Sequence, residues 1–258
     1  MTAADTMTFK RLWGCALLFC GALPQAHAAD IKVLTAGAFK PVVLALVPAF
    51  EAQTGHTVTV ANDTAGALAK RIGSGEAFDV VVLTPSALAA WGKVGKVVLP
   101  STLLARVAMG VAVKQGAPLP DISTVAAFQN ALLMAKAVAY IDPAAGGSSG
   151  IYLAQWFEKA GIADRIQPKA VLVPGGLVAQ RVVNGQADIA VHQISEILAV
   201  PGAQLVGPIP AEIQNYTVYA GSVSTAARDA AAAQALLQYL GSPAAREVLR
   251  DKGMEAAE

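Results

Sequence analysis

An imidazole and a carboxylate four residues apart, His192 and Glu196, close an apolar run and are interleaved with Gln193 and Ser195. Such a pair is how proton-transfer sites tune a base toward neutral pH. The same residues also fit a packed histidine followed by a carboxylate in the first turn of a helix, where the dipole favours it. A second constellation, Asp142-Pro143-Ala144-Ala145-Gly146-Gly147-Ser148-Ser149-Gly150, follows another apolar run and opens onto Ile151-Tyr152-Leu153-Ala154-Gln155-Trp156-Phe157. Its glycines leave backbone amides uncovered, and its serines add hydroxyl donors and a candidate N-cap. With the positive end of the following helix, these groups meet the needs of a small anion. No metal and no cofactor are expected. The histidines beyond residue 28 are His56 and His192, 136 positions apart and without a cysteine, which is no ligand spacing. A phosphate loop, a nucleophile elbow and a dinucleotide fingerprint are all missing from the sequence.

These groups need elements to hold them. Strand and helix patterns alternate: strands over 30–36, 56–61, 78–84, 107–113, 137–141, 170–173, 187–191 and 216–220, helices over 41–53, 67–74, 123–134, 151–160, 175–184, 226–240 and 244–252. Apolar runs such as Val80-Val81-Val82-Leu83 are the mark of a strand covered on both faces, and the βαβα rhythm predicts an α/β fold with mainly parallel sheets. Ligands of such sheets bind beyond the carboxyl ends of the strands. Those ends deliver Gly37, Ala38, Phe39 and Lys40; Asn62 to Gly66 with Thr64 and Ala65; Thr84; Gly147, Ser148, Ser149 and Gly150 with Tyr152 behind; and His192, Gln193, Ser195 and Glu196. Lys40, Arg71 and Arg181 are the cations that could pair with carboxylates; each also fits a solvated helix position.

Residues 1–28 read as a cleaved secretory signal: Lys10 and Arg11, the apolar stretch Leu12 to Leu23, then Ala26-His27-Ala28. Both cysteines, Cys15 and Cys20, lie inside it, so no thiol or disulfide is expected afterwards. Removing Lys10, Arg11 and Asp5 turns 19 basic and 18 acidic residues into 17 of each. A neutral chain without basic runs suits neither nucleic acid nor polybasic membrane attachment. A periplasmic location is expected, with no membrane insertion of the mature chain.

Several stretches are similar to the periplasmic molybdate-binding proteins: Val33 to Phe39, Pro48 to Gly55, Thr64 to Val80, Val183 to Ile189 and the final Gly253-Met254. The resemblance implies a type II periplasmic-binding-protein fold with two α/β lobes, two crossover strands and a cleft. It places lobe 1 at 29–108 plus 217–258 and lobe 2 at 109–216, commonly in a monomer. In that family, serines after the first and second strands donate to the oxyanion. Here the matching positions are Ala38 and Ala65, with Thr64 beside them, and the family's tyrosine-bearing loop is replaced by His192-Gln193-Ile194-Ser195-Glu196. Each unpaired group around a buried oxyanion costs roughly 1–3 kcal/mol, so an organic polycarboxylate is expected rather than molybdate. The first reading is a receptor that captures such an anion for an ABC permease. The late His-Gln-Ile-Ser-Glu segment and Gln214-Asn215-Tyr216-Thr217 also resemble a divergent branch that includes aconitate isomerase. That likeness implies a cofactor-free allylic proton shift between cis- and trans-aconitate, with His192, Glu196 or Lys40 as the base. A molybdate or tungstate receptor is the remaining alternative.

Overall fold

The apolar run Val80–Leu83 forms a strand whose four residues are all buried, the environment its composition demands. A computed structural model describes residues 28–257; the leader expected over 1–28 lies, apart from Ala28, outside them. The first elements are β1 (Asp30–Ala36), α1 (Lys40–Thr54), β2 (Thr57–Asp63), α2 (Ala65–Gly73), β3 (Val80–Leu83), α3 (Pro85–Lys93) and β4 (Thr102–Val107). Next come β5 (Met109–Lys114), α4 (Val125–Met134), β6 (Val138–Ile141), α5 (Ser148–Lys159), α6 (Ala163–Ile166), β7 (Ala170–Val173), α7 (Gln180–Val183), β8 (Ile189–Gln193), α8 (Ile194–Leu198) and β9 (Ala203–Pro208). The chain then returns through β10 (Thr217–Val223), α9 (Ala230–Leu240), α10 (Pro243–Asp251) and β11 (Met254–Ala256).

Two sheets result, ordered β11-β4-β10-β3-β1-β2 and β7-β6-β8-β5-β9. The strands β2-β1-β3 and β7-β6-β8 pair in parallel, as the alternating pattern predicts. The strands on either side of the two chain crossings, β4, β5, β9 and β10, pair antiparallel and make both sheets mixed. The first crossing explains one difference from the sequence reading. The stretch 107–113, read as one strand, is split between β4 in one sheet and β5 in the other. Ala108 is the junction, and its carbonyl accepts the Ile194 amide at 3.0 Å. The helix expected over 175–184 shrinks to α7, because a turn at Pro174-Gly175-Gly176 occupies its start and Gly176 has φ +85°, a conformation open to glycine.

Caps end the helices where their orphan amides face the cleft. Thr64 and Thr84 accept from the amides of Ala67 and Ala87 at the starts of α2 and α3. The loop before α5 behaves otherwise. Gly147 is its N-cap, so Ser148 and Ser149 sit in the first turn and do not cap it. Each sheet packs its own core. Phe39, Phe50, Leu34 and Leu68 fill the first, and Phe128, Trp156, Leu153 and Met109 the second. Among the described residues no helix is long and apolar enough to cross a membrane.

Candidate functional site

The carboxyl ends of β1, β2, β3, β6 and β8 converge on a narrow, partly open cavity of about 40 Å³ between the two sheets, room for roughly three waters. The helix starts Thr64-Ala65, Thr84 and Gly147-Ser148-Ser149 line it. The starts of α2 and α5 thus face the cavity with Thr84 beside them; the α2 and α3 amides of Ala67 and Ala87 are capped by Thr64 and Thr84, and the Gly66 amide is bonded across the cleft. Opposite them stand His192, Gln193 and Glu196 from the β8–α8 junction and Tyr219 from β10.

His192 and Glu196 are both buried, with Nε2 3.3 Å from Oε2. Burial disfavours the charged form of each group. It pushes the Glu196 carboxyl above its ordinary range, partly opposed by the Lys40 ammonium, and pushes the His192 imidazole below its own. The pair thus favours a state of zero net charge, holding one mobile proton between two groups that titrate as a unit. Nε2 lies against the carboxyl, while Nδ1 is enclosed and has no hydrogen-bond partner. The Glu196 carboxyl also lies against Gly37. A Cβ there would come within 2.5 Å of Oε1, so any larger residue would push the carboxyl out of place.

Beside this pair, the Gln193 amide nitrogen lies 3.0 Å from Ser148 Oγ, 3.1 Å from Thr217 Oγ1 and 2.9 Å from Tyr219 Oη. Two N–H groups serve three hydroxyl oxygens, and each hydroxyl that accepts keeps its own O–H to donate. Burial, and next the Glu196 charge, push the Tyr219 phenol upward, so it stays a donor. The surroundings of the acid–base pair are therefore rich in donors.

The cleft is bridged by two hydrogen bonds to backbone carbonyls. Thr64 Oγ1 donates to the Ala145 carbonyl at 2.6 Å, and the Gly66 amide donates to the Gly146 carbonyl at 3.1 Å. Deeper in, Ser195 Oγ donates to the Ala38 carbonyl at 2.8 Å. Gly66 and Gly146 approach so closely that a Cβ on Gly66 would stand 2.8 Å from the Gly146 Cα.

Of the residues singled out from sequence, Gly37, Thr64, Ala65, Thr84, Gly147, Ser148, Ser149, His192, Gln193 and Glu196 line this cavity. The others do not. Arg71 is drawn away by Glu76 at 2.6 Å and Asp63 at 3.6 Å, and Arg181 bonds the Gln186 amide oxygen at 2.9 Å. Tyr152 donates its hydroxyl to the Ile213 carbonyl at 2.6 Å. Phe39 is core, 6.3 Å from the Tyr219 ring, and Gly150 packs under the Ile141 carbonyl. Ala38 and Ser195 are spent on each other, and Lys40 faces a wider chamber outside. Asn62, Asp63, Ile141, Gly176 and Tyr219 also line the cavity but were not among the candidates. Asn62 and Asp63 lay in a loop already flagged; nothing marked Tyr219, because a crossover strand brings it in.

Two mixed sheets joined by two crossings, with a donor-lined cleft between them, define a two-lobed α/β binding protein. Residues 31–255 match the description bacterial extracellular solute-binding protein, and the chain belongs to that family. It is similar to aconitate isomerase from Pseudomonas sp, 35% identical over 232 residues covering 87% of each chain. It is also similar in fold to the Azotobacter vinelandii periplasmic molybdate-binding protein, with TM-score 0.76, 19% identity and coverage of 88% of this chain and 100% of that one. The sulfate-binding protein SubI of Mycobacterium tuberculosis gives TM-score 0.72, 18% identity and coverage of 90% and 88%. No group of three or more His, Cys, Asp or Glu able to hold a metal occurs among the described residues.

Proposed function

We propose that the protein is a cofactor-free isomerase that interconverts cis- and trans-aconitate by an allylic proton shift in the cleft, in the periplasm after loss of its leader. The observation that carries this reading is the enclosed His192–Glu196 pair set among donors. A receptor has no use for a buried acid–base pair at the ligand; a proton-transfer enzyme does. The 35% identity to an aconitate isomerase supports the same conclusion.

In the base form, the singly deprotonated His192–Glu196 pair, both of whose residues line the cavity, is the proton acceptor. It takes a proton from the methylene carbon. The freed electron pair spreads over the allyl unit and its carboxylate, and the proton taken up returns the pair to its state of zero net charge. The pair then returns a proton to the other end of the allyl unit, so the double bond moves and atoms and electrons balance. Charge develops on the carboxylate oxygens during the step, where the amides of α5 and the hydroxyls of Ser148 and Tyr219 donate. No redox group or hydrolytic water enters the equation.

The second reading, a receptor that hands a polycarboxylate to an ABC permease, is favoured by the bridged cleft. Thr64–Ala145 and Gly66–Gly146 are contacts that a hinge-closing receptor forms on capture. The experiment is to incubate the purified chain with trans-aconitate in deuterated water and follow it by proton NMR. Isomerisation with exchange at the allylic carbons is expected. Binding of aconitate with neither exchange nor isomerisation would overturn the enzyme reading in favour of the receptor. A melting temperature raised by molybdate or sulfate but not by aconitate would overturn both.

A further inference from the structure

A second chamber of about 510 Å³ adjoins the inner cavity, and Gly37, Asn62, Gly176 and Glu196 face both. Apart from Glu196, its charged groups are Lys40 at the start of α1 and Lys252 just past the end of α10. Both are half-buried. Neither enters an ion pair among the described residues; of the described lysines only Lys32 does, so it is their place on this shared chamber that sets the two apart. Pro41, Leu44, Ala45, Leu177 and Ala199 make up most of the remaining wall. Two unneutralised ammonium groups beside an apolar wall, next to a cavity too small for a tricarboxylate, are a feature the inner site does not explain.

We propose that the site has two chambers and that Lys40 and Lys252 hold the carboxylates remote from the reacting carbon. The substrate class is then an extended di- or tricarboxylate that enters the inner cavity by one end. This inference rests on the carboxylate reading of the same site. The size argument is direct: the inner cavity of about 40 Å³ has space for a reacting group, and the outer chamber has space for the rest. The choice of cation fits as well. The cis and trans isomers aim their terminal carboxylates differently, and an ammonium on a flexible stem follows both where a rigid guanidinium fork would favour one. Lys40 also keeps Glu196 from rising further, so a carboxylate drawn to Lys40 feeds back on the proton-transfer pair.

The test compares Lys40→Met, Lys252→Met and Lys252→Arg with the unaltered full chain. Calorimetry with trans-aconitate and with crotonate, a monocarboxylate that lacks the remote carboxylates, is read beside kcat and KM. Lys252→Met is expected to weaken trans-aconitate binding about tenfold or more, the scale of a lost charge-assisted contact. KM should rise with it, kcat should stay within about threefold, crotonate binding should stay within about twofold, and Lys252→Arg should restore most of the loss. Equal losses for trans-aconitate and crotonate, or no loss for either, would overturn the second chamber while leaving the isomerase or receptor reading intact. An unaltered protein that neither binds nor converts aconitate would overturn both. Unliganded melting temperatures of all three variants should match the parent, since each lysine sits at a half-exposed helix end; a variant that melts early is replaced by Lys40→Gln or Lys252→Gln.

Discussion

Gly66→Ala separates closure of the cleft from stability of the fold. The new Cβ would stand 2.8 Å from the Gly146 Cα and 3.0 Å from the Ala145 carbonyl oxygen. Both are backbone atoms of the opposite lobe and cannot swing aside, so the lobes must part. Parting stretches the 3.1 Å Gly66–Gly146 bond and the 2.6 Å Thr64–Ala145 bond. At about 0.5–1.5 kcal/mol net for each bond, the closed form loses about 1–3 kcal/mol, a factor of about 5–150 in the closure equilibrium. A ligand that needs the closed form binds weaker by the same factor. In the open form the substitution has the opposite sign. Gly66 lies in the first turn of α2 with ordinary helical backbone, where alanine is favoured over glycine by about 0.5–1 kcal/mol. The unliganded melting temperature should therefore hold or rise while calorimetric affinity for trans-aconitate falls, and small-angle scattering should show a larger radius of gyration. Unchanged affinity with an unchanged radius would refute the view that these contacts govern closure.

Glu196→Gln keeps the shape against Gly37 and removes the titrating group. Because the folded pKa of Glu196 is raised, its contribution to stability is full below the ordinary carboxylate pKa and is lost as pH rises through the folded value. The parent should therefore lose ground to the variant as pH rises, in melts run from pH 5 to 9, and turnover of the variant should fall by about 10²–10⁴. His192 works on the acid side. Its lowered pKa gives stability above the ordinary imidazole value that is lost as pH falls, so His192→Asn should flatten the acid limb of the same curve. Gln193→Leu leaves the hydroxyls of Ser148, Thr217 and Tyr219 without their shared amide. A cost of about 2–4 kcal/mol, read as a melting temperature lower by about 5–15 °C, is expected, and a neutral result would contradict the polar cluster. Arg71→Met should lower stability by no more than about 1 kcal/mol and leave aconitate affinity within about twofold, because Arg71 serves Glu76 and Asp63 on a partly exposed surface.

The sequence made the strand ends legible because a parallel strand buried on both faces writes itself as a short apolar run. The segments at 37, 84, 147–149 and 192–196 follow such runs, while 64–65 follows the alternating, partly exposed edge strand β2, and the structure brings all of them to one cavity. What stayed hidden was the lateral order of the strands. Nothing local in Tyr219 or Lys252 says that β10 returns between β3 and β4, or that α10 packs beside α1. The antiparallel strands β9 and β11 were missed for the same reason, since their partners lie in distant sequence.

The cations show the limit most clearly. Arg71, Arg181 and Lys40 looked alike as basic residues near helix starts or on helix bodies. Position relative to carboxylates divides them: Arg71 is neutralised by Glu76 and Asp63, Arg181 is satisfied by Gln186, and Lys40 is left unpaired at the chamber mouth. That division bears on chemistry. A cavity lined by arginine forks would hold a fixed anion tightly in one geometry, which suits capture. A neutral acid–base pair inside and flexible ammonium groups outside would let one guest be held in two shapes while a proton crosses it. An isomerase needs that second arrangement, because a site that gripped either isomer alone would stop at the first product it formed.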